Sequence, residues 1–167
     1  EAGRPATAWV RGVNAHLPSG AAVLWAHPVA DAAFHARFNA TARHYTYLLC
    51  DRPERPALNA TRVGWYHRPL DVAAMASGAQ ILVGEHDFSS FRAAECQAKT
   101  PVKTLARIAV ARHGNLIRFD CSANAFLHHM IRNIVGALVY VGAGRQPVDW
   151  IAELLAALPA EALAGLA

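Results

Sequence analysis

Phe126, Met130, Ile134 and Leu138 recur at helical spacing and form one apolar stripe in the C-terminal third of the chain, with an arginine set into its first turns. The stripe predicts a helix over 125–141, which must lay its apolar face on another layer of structure. Arg132 follows His128 by one turn and precedes Asn133. A fixed positive charge on a largely apolar helix is costly unless it is paired or reaches solvent. Two readings of Arg132 stay open on the residues alone. Its guanidinium snorkels at the edge of the core, or it is held in place to meet a carboxylate or phosphate.

The layer beneath the helix reads as a sheet. Residues 42–50 alternate strictly, with Tyr45, Tyr47 and Leu49 on one face and His44, Thr46 and Leu48 on the other. Thr104–Ala111 and Leu116–Cys121 read as two strands joined at His113-Gly114-Asn115, a hairpin signal. Asp71 can cap a helix carrying Val72, Met75, Ala79 and Leu82, stopped by Gly84. Pro147 opens a further helix through Ala157, and the Ala- and Leu-rich residues beyond it read as a frayed helix or a cut element. Nearer the start, Ala6–Ala15 reads as a short helix ended by the Leu17–Gly20 turn, and Ala21–Val29 as β-like. Residues 51–58 and 85–92 read as loops. The expected class is α+β, an antiparallel sheet with helices packed on it.

Composition closes off several functions. The 54% of hydrophobic residues exclude a disordered chain, and no apolar run reaches the roughly 18 residues that span a bilayer. A net charge of +4 permits a polyanionic partner without requiring one. Cys50, Cys96 and Cys121 are widely spaced and form no disulfide framework, and no signal peptide precedes them, so a reducing, cytoplasmic setting is expected. The nine histidines hold no HExxH or HxxEH spacing, and His128 and His129, being adjacent, should diverge on a helix, so no metal is expected. No Walker A, GxGxxG or GxSxG string is present, which argues against nucleotide, dinucleotide and hydrolase chemistry. The chain begins Glu-Ala-Gly, which reads as the start of a fragment.

Two further segments could touch a ligand. The run Gly84-Glu85-His86-Asp87-Phe88-Ser89-Ser90-Phe91-Arg92 sets two aromatics among polar groups. Aromatics can stack on an unpaired base while Arg or Ser holds its phosphate, although two buried Phe anchors in a loop explain the pattern equally. Tyr45 and Tyr47 share a strand face, where cross-strand packing is the ordinary role and stacking on a flipped base the alternative.

These same residues resemble a known family. Phe34-His35-Ala36-Arg37-Phe38-Asn39-Ala40-Thr41-Ala42-Arg43-His44-Tyr45-Thr46-Tyr47 is similar to the FHARF-x-A-x-x-R-x-Y-x-Y segment of the bacterial tRNA pseudouridine synthase A family. The run 84–92 resembles its G-x-H-D-F-x-x-F-R loop, residues 125–136 its third catalytic motif, and Asn14-Ala15-His16-Leu17-Pro18 its N-x-x-L-P stretch. The matches fall in family order from about residue 8 to 157.

The resemblance implies a pseudouridine synthase-like catalytic domain over 1–167, the C-terminal part of an enzyme that isomerises uridines 38, 39 and 40 of the tRNA anticodon stem-loop. It implies a homodimer with no metal or cofactor. It makes Tyr45 the residue that stacks on the target uracil and Arg132 the partner of a catalytic aspartate, with His86, Arg92 and His128 as possible RNA contacts. That aspartate belongs to a G-R-T-D-x-G-V-H motif found nowhere in these residues, and none of Asp31, Asp51, Asp71, Asp87, Asp120 and Asp149 stands in its context. The chain alone is therefore expected to be inactive, an upstream N-terminal domain carrying the nucleophile. The competing expectation is an RNA-binding module with no chemistry of its own.

Overall fold

A computed structural model describes residues 3–157. The chain falls into two units, one up to Ala40 and one from Thr41 onward. The Ala- and Leu-rich segment past 157, expected as a frayed helix or a cut element, lies outside the described residues.

The first unit holds α1 (Ala6–Asn14), which begins behind Pro5 and buries none of its residues. Proline suits that position because its missing N–H has no helical partner to lose. Asn14 ends the helix and pairs its amide with the backbone of Val23: Nδ2 donates to Val23 O at 2.8 Å and Oδ1 accepts from Val23 N at 2.7 Å. The expected β-like segment at 21–29 forms no ladder among the described residues. A strand needs a neighbouring backbone, and Val23 finds only a side chain.

The second unit is a five-stranded sheet in the order β2-β1-β5-β4-β3. Its strands are β1 (Arg43–Asp51), β2 (Gly64–Tyr66), β3 (Gly84–Asp87), β4 (Val102–His113) and β5 (Leu116–Ala123). The expected hairpin is there: β4 and β5 pair antiparallel across Gly114, whose φ of +57° is the left-handed value glycine adopts freely. β1 pairs antiparallel with β5 and β3 with β4, while β2 runs parallel to β1. The α+β class holds, but the sheet is mixed, not purely antiparallel. Two strands depart from the sequence reading. β2 is only three residues long, too short to show alternation, and β3 occupies the start of the expected 85–92 loop. Backbone pairing of His86 with Lys103 and Asp87 with Val102 makes β3 a strand, and that is tertiary information.

Helices α2 (Val72–Ile81), α3 (Met130–Gly142) and α4 (Trp150–Ala156) form one core with the sheet. Met75 and Ala79 of α2 and Met130, Ile134 and Leu138 of α3 are buried with Ile108, Ile117, Phe119 and Cys121 of the strands. Asp71 caps α2 by accepting from Ala74 N at 3.0 Å. Close approach fixes the residue at Gly142: a Cβ there would lie 2.6 Å from Met75 Sδ. Asp51 ties three elements together. Its carboxylate takes both terminal nitrogens of Arg112, at 2.8 and 2.7 Å, and the Leu70 N–H at 2.9 Å ahead of α2. Those bonds, led by the Arg112 fork, hold its pKa below the usual carboxylate value.

α3 starts at Met130, later than the expected 125. Residues 124–129 leave β5 as an irregular connection that ends at His129 in the left-handed conformation, φ +58° and ψ +6°. Phe126, read as the first residue of the helical stripe, therefore stands outside the helix.

Candidate functional site

The site forms where β1 and the 124–129 connection meet at one end of the sheet. Strand register decides which tyrosine is available. Tyr47 lies opposite Phe119 and packs edge-on against it, with ring centroids 6.1 Å apart. Its hydroxyl lies so close to Gly64 that a Cβ there would meet it at 2.5 Å. Tyr45 lies opposite Cys121, whose small side chain leaves the phenol ring uncovered, and it is 52% exposed. Phe126 supports Tyr45 from the side, its ring at 84° to the phenol and 5.2 Å away. That edge-on contact orients the tyrosine and leaves a ring face free to stack.

A cleft of about 480 Å³ opens here, lined from β1 by Tyr45, Thr46 and Tyr47 and from the other wall by residues 126–132. Its size is within the usual range for small-molecule sites. Arg132 is exposed in this cleft and makes no hydrogen bond or ion pair among the described residues. Arg132 and Tyr45, singled out separately in the sequence, thus share one concave surface. His128 and His129 line it as well, and no lining residue is a carboxylate.

The connection is pinned from behind. Cys96 Sγ accepts the His128 N–H at 3.3 Å, the His128 carbonyl accepts Ala93 N–H at 3.1 Å, and Asn133 Nδ2 donates to Phe91 O at 2.9 Å. The His128 N–H bond, with a backbone bond from Ala98 and the positive charge of Arg92, lowers the Cys96 pKa, whereas burial pushes that of Cys121 up to about 11.

The other candidates stand apart. His86 is on β3, separated from β1 by β4 and β5, with Nε2 3.1 Å from Val83 O. Arg92 turns its guanidinium to the carbonyls of Cys96 and Ala98 and so shapes the 92–98 loop. Neither lines the cleft. Phe88 and Phe91, weighed as base-stacking residues, are fully enclosed in the core, 6.1 Å apart. His128 and His129 do not diverge as helix neighbours would: both precede the first residue of α3, and their rings stack at 4.0 Å and 29°. Phe126 and His129 line the cleft from outside α3, whereas the sequence pattern predicts a helix over 125–141 that includes both. Among the described residues no group of His, Cys, Asp and Glu could hold a metal ion, and no helix is long and apolar enough to cross a membrane.

The sequence signature of tRNA pseudouridine synthase matches residues 79–165, which include α3 and Arg132. The tRNA pseudouridine synthase A of Dechloromonas aromatica is 60% identical over 152 residues, 91% of this chain and 58% of that protein. That of Thiobacillus denitrificans is 60% identical over 92% of the chain and 58% of the relative, and that of Neisseria meningitidis serogroup B 59% identical with the same coverage. The chain thus spans a little under three-fifths of the length of these relatives. With the signature covering more than half of its residues, the chain belongs to the tRNA pseudouridine synthase family.

Proposed function

We propose that this chain supplies the uracil-binding wall of a tRNA pseudouridine synthase acting on uridines 38, 39 and 40 of the anticodon stem-loop. The observation that carries the reading is the shared cleft: an exposed tyrosine ring and a guanidinium without a partner among the described residues face one open space without a carboxylate. In this reading Tyr45 stacks on the extruded uracil, with the edge of Phe126 fixing its ring. Arg132 holds the carboxylate of the catalytic aspartate, a group its cleft lacks. The reaction breaks the C1′–N1 glycosidic bond, turns the uracil and joins C1′ to C5, with the C5 proton released and N1 taking up a proton.

The aspartate motif is not among these 167 residues, so the chain by itself binds but does not turn over. A polypeptide bearing that motif completes the site, and the assembled enzyme is a cytoplasmic homodimer without metal or cofactor. Tritium release from tRNA labelled at uracil C5 tests this. The chain alone should release none, and adding a polypeptide that carries the aspartate motif should start release. Release by the chain alone at an enzymic rate would overturn the assignment of the nucleophile. Tight hairpin binding with no release under either condition would favour a purely RNA-binding role.

A further inference from the structure

Resting on the reading that this cleft receives an extruded uridine, we propose that the stacked pair His128–His129 clamps the RNA phosphodiester beside that uridine. Three features converge on an anionic group at this position. His129 is the one non-glycine residue with positive φ among the described residues, at +58°. Side chains rarely adopt that conformation, and it persists only where the surroundings hold it. Here it brings the His129 ring onto His128, 4.0 Å away, where consecutive helical residues would splay apart.

The second feature is a fixed backbone beneath unengaged side chains. The His128 N–H and carbonyl are both bonded, to Cys96 Sγ and Ala93 N, and the His129 carbonyl accepts Asn133 N–H at 3.0 Å. Neither imidazole makes a hydrogen bond to protein among the described residues, and both are exposed in the cleft. The third feature is charge. Arg132 lines the cleft beside the two histidines, with tyrosines and Phe126 as its apolar wall, and no lining residue is an acid to answer the guanidinium. Each neutral imidazole offers an N–H donor whatever its tautomer, so the pair presents two donors to the non-bridging oxygens of one phosphate. A phosphodiester next to a base stacked on Tyr45 supplies the negative charge and the acceptors together. Arg132 stays available to a carboxylate, so base, phosphate and aspartate each have their own partner.

The test is a binding cycle by fluorescence anisotropy with the full 167-residue chain and an anticodon-arm hairpin. In a second set of hairpins, the phosphates flanking the target uridine are replaced one at a time by neutral methylphosphonate. One of these replacements should weaken wild-type binding roughly tenfold, the scale of one hydrogen bond to a charged group. His128→Ala and His129→Gly should weaken binding to the native hairpin by a similar factor and lose the response to that replacement. His129→Gly suits the left-handed backbone, so its melting temperature should not fall, which separates a lost contact from a damaged fold. Equal sensitivity to neutralisation in wild type and both variants overturns the clamp, as does no sensitivity in wild type. Tyr45→Ala distinguishes the levels. If it weakens hairpin binding while the phosphate replacements stay uncoupled from the histidines, the clamp alone fails. A hairpin that does not bind the wild-type chain at all removes both proposals.

Discussion

Arg112→Ala should cost this domain about 2 kcal/mol at neutral pH, a figure that follows from what surrounds Asp51. The Asp51 side chain is 3% exposed, and its carboxylate receives two bonds from Arg112, at 2.8 and 2.7 Å, and one from Leu70 N. Removing the guanidinium deletes two charge-assisted bonds and leaves a buried charge on a single backbone donor. Breaking a fully enclosed pair this way costs about 3–5 kcal/mol. The Arg112 side chain is 42% exposed, so water takes over part of its role and the lower figure applies. Urea unfolding of wild type and variant measures the difference. The pH dependence adds a second check. Asp51 has its pKa lowered in the folded state, so its contribution is fully present above the unfolded value near 3.8 and fades as pH falls through the folded one. The gap between wild type and variant should therefore be constant above about pH 5 and close progressively below pH 4. A difference under about 0.5 kcal/mol, or one that persists unchanged into acid, would show that Arg112 does not compensate a buried Asp51 charge.

Gly142→Ala should destabilise by roughly 1–3 kcal/mol in the same assay, because its Cβ would lie 2.6 Å from Met75 Sδ and 3.3 Å from Asp71 O. Ile134→Ala should cost roughly 2–5 kcal/mol through the cavity left under α3, and a loss below about 1 kcal/mol would deny that this stripe is core. Iodoacetamide at pH 8, read by peptide mass spectrometry, should modify Cys96 before Cys121, since one thiol has a lowered pKa and the other is pushed up to about 11. In the completed enzyme, Tyr45→Ala should cut tritium release and Tyr45→Phe should keep the stacking, worth roughly 1–3 kcal/mol per base. Loss of turnover in Tyr47→Ala with its fold intact, beside an active Tyr45→Ala, would reverse the choice of tyrosine.

Periodicity made the layers legible. The stripe of Met130, Ile134 and Leu138 is a local signal of burial, and burial follows it, whereas the alternation of 42–50 marks a strand whose burial instead rises along its length, from an exposed Tyr45 to buried Leu49 and Cys50. β2 and β3 were not legible, because three or four residues carry too little pattern and their pairing partners are distant in sequence. The same limit misplaced the start of α3. Residues 125–129 have helical character, yet His128 bonds to Ala93 and Cys96, and those tertiary contacts hold the connection outside the helix. The site was half visible. Tyr45 and Arg132 stood out in their segments, but their meeting depends on the register of Tyr45 with Cys121 and on the turn at His129. His86 and Arg92 sit in an equally conspicuous segment that the fold uses to pair β3 with β4 and to shape the 92–98 loop.

On the proposed function, the cleft between β1 and the start of α3 receives the target base. Backbone and side-chain NMR of the 167-residue chain, titrated with an anticodon-arm hairpin, tests it most directly. The largest shifts are expected at Tyr45, Phe126, His128, His129 and Arg132, with little change at His86 on the far edge of the sheet. Shifts centred on β3, with Tyr45 and Arg132 unmoved, would contradict it.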